Sequence, residues 1–482
     1  MGRREGDVGG GRLSSGRRVI VIGGGLAGIV AALDCASAGA SVTLLEVRRR
    51  LGGAAYSFER EGLQMDNGQH VFLRCCSAYR ALLARLGSEQ LTTLQPRLQI
   101  PVLKPGCKPA LLRRGSLPAP AHLAGALASY PHLSPLQRLG AARAALGLMR
   151  LDPADPTLDR VSFGDWLARH GQGPQAVAAL WDLIALPTIN LAASEASLAL
   201  AAFVFQTGLL SGADAGDIGF HHATLGEILG DPAMRVLREA GVDVKLGWRV
   251  ERVERSADGL EVCGRGARSE GAEALDGLSA EAAVVALPHA RAATLLEPLL
   301  GDGARVWNGL GSSPIVNLHV VYDRPVLDEP FAAGVCTPVQ YLFDRSAAAG
   351  VPAGCQYLAV SLSGAEREMG MSVEALRELY LPALAKLLPR AREAKVELFL
   401  ATREHAATFR AAPGTAVLRP GPATAIPGLV LAGAWTATGW PATLEGAVLS
   451  GHAAARSALS ALDIDAQATS AGVAGGARAL TR

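Results

Sequence analysis

The sequence is poor in aromatic residues, 5% of the chain, and these do not interleave with the singly scattered arginines. A nucleic-acid binder needs stacking platforms beside clustered cations, so that class is excluded. Neither sign of charge is in excess: 46 basic and 44 acidic side chains leave a formal net charge of +2, which suits a soluble or peripheral enzyme. Of the seven cysteines only Cys75 and Cys76 are neighbours, and no C-x-x-C pair or histidine at ligand spacing accompanies them. Metal binding and a disulfide framework are therefore not expected, and the thiols read as reduced, buried groups of a cytosolic protein. No stretch approaches the ~20 continuous apolar residues of a membrane-spanning helix. Leu198 to Leu210 (LALAAFVFQTGLL) comes nearest, and monotopic contact is the most it implies. Met1 to Arg18 is Gly/Arg-rich and leads directly into a strand, so it does not read as a signal peptide.

What is present is an alternation of strand and helix signals over 482 residues, long enough for two or three domains. Arg18 to Ile22 is a short apolar run ending in glycines, Leu26 to Ala38 is Ala-rich and helical, and Ser41 to Leu45 is a second strand that ends at Glu46. This is a βαβ unit. Residues 80–230 read mostly as helices broken by Pro and Gly, an insertion that shapes a pocket. Val242 to Val262 alternates in period two around a turn at Ala257-Asp258-Gly259, and Ala282 to Leu287 is a further buried strand. Pro314 to Tyr322 is strand-like, Val373 to Leu388 is an amphipathic helix, and Leu429 to Gly433 is a last strand before a C-terminal helix. The composition of residues 1–16 and 463–482 predicts disorder.

Gly23-x-Gly25-x-x-Gly28 joins the first strand to the helix. There the first glycine permits the tight turn, the second lets backbone approach a pyrophosphate, and the third lets helix pack on strand. The helix N-terminus then faces the phosphates, and Glu46 is placed to accept from ribose hydroxyls. This unit alone allows NAD or FAD. Gly264-x-Gly266 is no second site, because no amphipathic helix follows and Ser269 stands in the sixth place. It reads as a hairpin loop, and the protein is expected to lack an NAD(P)H pocket of its own. His221-His222 lacks partners at metal spacing and reads as a solvated or capping pair.

After Glu46 come Gly52-Gly53 and then Asp66-x-Gly68, and EVRRRLGGAAYSF resembles the amine-oxidase and phytoene-desaturase flavoproteins. Within that superfamily the chain is similar to the hydroxysqualene dehydroxylases. The likeness lies in DNGQH at Asp66 to His70, SPIVNLHVVYDRPV at Ser313 to Val326, QYLFDR at Gln340 to Arg345, AATF at Ala406 to Phe409, Arg419-Pro420 and TGWPATLEGA at Thr438 to Ala447. It spans Val19 to about Ala458.

The resemblance implies an α/β fold: a Rossmann-type FAD-binding domain (17–80, 231–300 and 426–462) interleaved with a mixed helical and sheet substrate domain (81–230 and 301–425). It implies FAD held by Gly23, Gly25, Leu26, Ala27, Gly28, Glu46, Val47, Arg50, Gly52, Gly53, Gly68, Gln69, Val250, Gly433, Pro441, Ala442 and Thr443. Pro441 fits the first turn of a helix, whose N-terminus would stabilise negative charge on the reduced flavin. Relatives carry a basic residue where this chain has Ala54, so Arg48, Arg49 or Arg50 is the candidate to balance the diphosphate. Ala434 and Ala437 replace acids of many relatives, which leaves more of the binding to backbone groups.

The implied activity is reductive removal of the hydroxyl of hydroxysqualene, giving squalene and water for hopanoid or other triterpenes, with electrons from a separate donor. His70, on a loop expected to return near the flavin, is the candidate proton donor. Glu445 either caps a helix or faces the substrate, and Asp66 is expected to fix its turn through local N–H groups. Tyr341, Trp435 and Trp440 are either walls of a polyprenyl channel or core. Residues 180–210 are the expected channel lining and membrane contact of a cytoplasmic protein attached peripherally to the inner face of the plasma membrane. The same scaffold would also serve a carotenoid or dehydrosqualene desaturase, or an amine oxidase.

Overall fold

Arg18–Ile22 is apolar after its first residue because both faces of the strand are covered. In the computed structural model, which describes residues 17–266 and 275–464, Ile20 and Ile22 enter one hydrophobic cluster while Val19 and Val21 enter another. The strand is the centre of a parallel five-stranded sheet. Its spatial order is Asp243–Leu246, Ser41–Glu46, Arg18–Ile22, Ala282–Val285, Leu429–Leu431. The direction of strand succession reverses beside Arg18–Ile22, and the crevice above its carboxyl end is where such sheets bind nucleotides.

Helices Leu26–Ser37, Ser77–Leu86, Asp231–Glu239 and Leu444–Ala461 cover one face of this sheet. The first and last of them approach closely at Gly451, where an added Cβ would stand 2.5 Å from the Ala27 carbonyl oxygen. The other face carries a three-stranded antiparallel sheet, Arg249–Ser256, Gly259–Arg265 and Asp276–Ala280.

A second, seven-stranded sheet runs Val396–Phe409, Ser312–Tyr322, Gln356–Ser363, Tyr341–Asp344, Phe331–Gly334, Gln99–Leu103, Ala110–Arg113. Every neighbouring pair is antiparallel except Phe331–Gly334 with Gln99–Leu103. Helix Val373–Leu387 packs into one apolar cluster with this sheet. A separate cluster gathers Ile100, Val102, Tyr130, Leu183, Phe331 and Phe343 from the sheet and from helical residues of 121–189.

Residues 80–230 also hold the strands Thr92–Leu94, Gln99–Leu103, Ala110–Arg113 and Ile218–His221, each too short for an alternation to show against its Pro and Gly neighbours. Val242 to Val262 is not one hairpin. Gly247, at φ +71°, divides it, sending Asp243–Leu246 into the parallel sheet and Arg249–Ser256 into the antiparallel one. Gly264 lies inside a strand rather than in a hairpin loop, with room for no Cβ beside the Arg249 carbonyl oxygen at 2.2 Å. Leu198 to Leu210 begins as helix Leu198–Phe205 with Leu198, Ala201, Ala202 and Phe205 buried, so much of the run is core and not a membrane face. Among the described residues no helix is long and apolar enough to cross a membrane. Cys107 and Cys336 are exposed, unlike the buried Cys35, Cys76 and Cys263. The segments expected to be disordered lie, apart from 463–464, outside the described residues.

Candidate functional site

The glycine motif is fixed by contacts that forbid side chains. A Cβ on Gly23, at φ +111°, would meet the Ala286 carbonyl oxygen at 2.4 Å, and one on Gly28 would meet the Gly23 carbonyl oxygen at 1.9 Å. Gly25 is the N-cap of Leu26–Ser37 and brings no side chain to the cap, so the first N–H groups of the helix, at Leu26, Ala27 and Gly28, stay open to an anion. Glu46 is buried at the end of its strand, its Oε2 accepting from the Gly24 N–H at 2.7 Å and its Oε1 from the Arg48 N–H at 2.8 Å.

The Gly52-Gly53 turn is pressed against this motif. Gly52 N–H donates to the Gly24 carbonyl at 2.9 Å, and a Cβ on Gly53, at φ +60°, would stand 2.7 Å from the Gly25 Cα. Arg50 lies alongside, its guanidinium 3.6 Å above the Tyr56 ring and its Nη1 3.4 Å from the Gly53 carbonyl. Arg48 also overhangs that ring, at 5.3 Å, while Arg49 is exposed. Val47 is exposed just past Glu46, and Val250 follows Trp248, whose N–H donates to the Glu46 carbonyl at 2.9 Å. A narrow, side-chain-free cradle with unpaired helix N–H groups at one end and a carboxylate at the other fits a dinucleotide.

The backbone at Ala54 is held by side chains from other segments. Asn67 Nδ2 donates to the Ala54 carbonyl at 2.9 Å and to Glu404 Oε1 at 3.0 Å, while the Tyr56 hydroxyl donates to the same carboxylate at 3.1 Å. Glu404 thereby joins the seven-stranded sheet to the glycine turn.

At the C-terminal segment the helix begins at Leu444, with Thr443 as its N-cap accepting from the Gly446 N–H at 3.1 Å. Pro441 is therefore outside the helix rather than in its first turn; Ala442 and Thr443 separate it from the first helical residue. Gly433, at φ +141°, donates its N–H to Ser450 Oγ at 2.9 Å. The turn at 434–440 has no acid of its own, its Ala434 and Ala437 being methyl groups, and is gathered by Arg419 instead. That buried guanidinium donates to the carbonyls of Ala434, Trp435, Thr436 and Trp440. Burial pulls its pKa down to about 10, still charged at neutral pH.

Glu445 caps a neighbouring helix. It is 2% exposed, and its two oxygens accept from the Ala78 and Tyr79 N–H groups at 3.0 and 2.7 Å, satisfying the start of helix Ser77–Leu86. Burial raises its pKa, opposed by those two hydrogen bonds. Trp435 is core: its indole N–H donates to the Leu287 carbonyl at 2.9 Å, and its ring packs 5.3 Å from Trp307. Trp440 instead meets Phe203 edge-on at 5.1 Å, across from the helical region. Tyr341 donates its hydroxyl to the Leu183 carbonyl at 2.9 Å and stacks on Phe343, bridging the sheet and the helices above it.

Asp66 is not a local turn-former. It sits in strand Leu63–Asp66, where Oδ1 accepts from Ser57 Oγ at 2.7 Å and from the Leu225 N–H at 2.9 Å, and Oδ2 pairs with Arg345 at 2.8 Å. Beyond it Gly68 packs against Asn317, and the Gln69 Nε2 is buried without a hydrogen-bond partner among the described residues. The His70 Nδ1 stands 3.1 Å from the Gly68 carbonyl, which calls for the proton on Nδ1. Burial lowers the pKa of His70, leaving the ring neutral at neutral pH. His221 is buried, not solvated: Tyr79 and His221 share a 2.9 Å hydrogen bond, and burial drives the His221 pKa down to about 3. His222 bonds Thr93. Gln69, His70, His221, Phe343 and Arg345 line one cavity of about 290 Å³.

Sequence reading missed Glu404 and the roles of Arg345 and Arg419. The two arginines stand in QYLFDR and Arg419-Pro420, but a lone arginine has no spacing that announces which carbonyls or carboxylate it will meet.

Residues 26–459 match the family described as flavin containing amine oxidoreductase. A hydroxysqualene dehydroxylase of Rhodopseudomonas palustris is 30% identical, covering 92% of this chain and 99% of the relative. Another, from Sinorhizobium fredii, is 29% identical with the same coverage. A probable zeta-carotene desaturase of Synechococcus elongatus is 23% identical over 93% of this chain and 100% of its own. Among solved structures, a putrescine oxidase bound to putrescine superposes with a TM-score of 0.69 at 19% identity, covering 93% of this chain and 98% of that one. At that identity the likeness speaks for the fold.

Proposed function

The chain belongs to the flavin-containing amine oxidoreductases and, within them, to the hydroxysqualene dehydroxylases, and on that footing we propose that it removes the hydroxyl of hydroxysqualene reductively, releasing squalene and water. It is an FAD-dependent oxidoreductase. The observation that carries the substrate is the likeness of almost the whole chain to proteins named for that reaction. Bound in its reduced form, FAD supplies the hydride that takes the place of the hydroxyl.

The protein's own residues do the rest. Leu26, Ala27 and Gly28 hold the diphosphate through their N–H groups, Glu46 accepts from the ribose, and Arg50 balances charge at the Gly53 turn. Gln69, with its buried and unpartnered Nε2, donates to the substrate hydroxyl oxygen and orients it. His70 takes up a proton at Nε2, opposite the Nδ1 that Gly68 holds, and passes it to the departing oxygen, which leaves as water. The hydrocarbon lies against the apolar cluster around Leu183, Ile218, Tyr341 and Phe343, which excludes water from the carbon centre.

The reading also includes an FAD-binding part made of 17–80, 231–300 and 426–462, a substrate part made of 81–230 and 301–425, peripheral contact with a membrane that carries the substrate, and a place in hopanoid or other triterpene synthesis. A separate donor reduces the flavin.

A second reading, a desaturase that runs the flavin oxidatively on a carotenoid, is favoured by the likeness to zeta-carotene desaturases. Anaerobic incubation of the chemically reduced, FAD-loaded protein with hydroxysqualene separates the two. Stoichiometric squalene is expected; unchanged hydroxysqualene together with dehydrogenation of zeta-carotene by the oxidised protein would replace the first reading with the second.

A further inference from the structure

The chain is nearly balanced in charge, yet residues 90–151 contain eight Lys and Arg and not one Asp or Glu. Among the described residues, the same segment holds six of the ten large apolar side chains that are exposed. Four of them stand on or just after the helix Pro135–Leu148: Leu136 is 82% exposed, Leu139 51%, Leu146 48% and Met149 37%. Helical periodicity sets these on one side together with the exposed Arg143 and Arg150, opposite Ala141, Ala144 and Leu148, which are buried. Among the described residues neither Arg143 nor Arg150 is paired with a carboxylate, whereas Arg114 of the same segment is held by Asp217.

An apolar stripe that carries arginines free of carboxylate partners, with Asp152 as the first acid after it, is a poor surface for water and a good one for an anionic bilayer. Leucines enter the acyl boundary while arginines meet the headgroup phosphates. The surface is also continuous with the interior: Leu111 and Arg113 of the edge strand Ala110–Arg113 point outward, while Ala110, Leu123, Leu127 and Tyr130 from the same stretch join the apolar cluster over the seven-stranded sheet. We propose that helix Pro135–Leu148 with its flanking basic segment is the surface by which the protein docks on an anionic lipid bilayer. This deepens the membrane contact proposed above and rests on it, but not on the identity of the substrate; it moves the contact from residues 180–210 to the region around 111–150.

The test is sedimentation of the FAD-loaded full chain with vesicles of phosphatidylcholine mixed with phosphatidylglycerol, against phosphatidylcholine alone. The wild type is expected in the pellet with the anionic vesicles and released by high salt. The variant Leu136→Ser/Leu139→Ser/Leu146→Ser, and separately Arg143→Glu/Arg150→Glu, should bind at least about tenfold more weakly while keeping flavin absorbance and helical circular dichroism. Wild type that stays in the supernatant would overturn both the contact and the surface. Wild type that binds, with both variants binding equally well, would leave the contact standing and overturn this surface. A dimer in gel filtration that the leucine variant turns into a monomer, without vesicle binding, would make the face a self-association surface and end the lipid assignment.

Discussion

Arg345 and Asp66 form a buried ion pair, Nη2 to Oδ2 2.8 Å, with side-chain exposures of 9% and 3%. The pair ties the strand that leads into the Gly68–His70 loop to the end of strand Tyr341–Asp344, and Arg345 also donates to the carbonyls of His221 and Ala223. Asp66→Ala or Arg345→Met alone strands the other charge in a buried setting, at a cost of about 3–5 kcal/mol. The double variant should lose clearly less than the sum of the two. Urea unfolding of all three variants measures this, and strict additivity would show that the pair is not coupled.

Gly28→Ala and Gly53→Ala place a Cβ 1.9 Å from a backbone oxygen and 2.7 Å from a backbone carbon. Both should yield protein without bound flavin. Gly39→Ala is the control: its φ is +89° but nothing lies within 4 Å of the new Cβ, so it should cost about 1 kcal/mol and keep the yellow colour. Retention of flavin by Gly53→Ala would mean the two glycine turns separate more easily than their contact implies.

Glu445→Gln keeps one acceptor for the start of helix Ser77–Leu86 and turns an amide N–H₂ towards the other N–H. A stability loss of about 1–2 kcal/mol is expected, with turnover per bound flavin within about twofold of the wild type. A fall of about 100-fold or more in turnover at full flavin occupancy, of the size seen when a general acid is removed, would return Glu445 to the chemistry.

Arg419→Lys keeps the charge but cannot spread its donors over four carbonyls. Flavin affinity should fall by about tenfold or more, because the turn at 434–440 has no acidic side chain to replace those bonds. Titration of the apoprotein with FAD reads it directly, and unchanged affinity would show that the turn holds its shape without Arg419.

Burial holds His221 at a pKa of about 3 and His319 at about 4, against 6.5 for an unburied ring. Between those values and 6.5 the unfolded chain binds protons that the folded one refuses, so their contribution to stability is full above pH 6.5 and is lost as the pH falls. From pH 7 to pH 5 each should cost about 2 kcal/mol. Denaturant titrations at pH 7, 6 and 5 measure the slope, to which the lowered His70, His122, His132 and His289 also contribute, and His319→Gln should remove about 2 kcal/mol of the loss between pH 7 and pH 5. A flat profile would mean that one or both rings admit a proton without unfolding.

The proton-donor role proposed for His70 carries a separate pH dependence. Because burial lowers its pKa, turnover limited by its protonated form rises as the pH falls below 6.5, while flavin content stays constant. A rate independent of pH down to the acid limit of stability would remove His70 as the proton source.

The nucleotide half of the molecule was legible because its signals are local. Gly23, Gly25, Gly28 and Glu46 lie within one strand–turn–helix–strand unit, and backbone geometry alone demands glycine at Gly23 and Gly28. Pro441 shows the limit of that logic: its fixed φ suits a first helical turn, but the Thr443 hydroxyl caps the Gly446 N–H and sets the start of the helix two residues beyond Ala442. Glu445 and Trp435 were open between chemistry and structure, since a carboxylate or an indole carries no mark of what it will face.

The sequence by itself determined the FAD fold and the family, through a motif whose spacing is set by covalent geometry and a likeness that runs along the chain. Only the tertiary structure decided that Asp66 pairs with Arg345 across 279 residues, that Arg419 gathers the turn without an acid, and that Glu445 closes the start of helix Ser77–Leu86. Those partners are brought together by packing of distant segments, and the energy of a buried charge depends on what surrounds it, not on its neighbours in the chain.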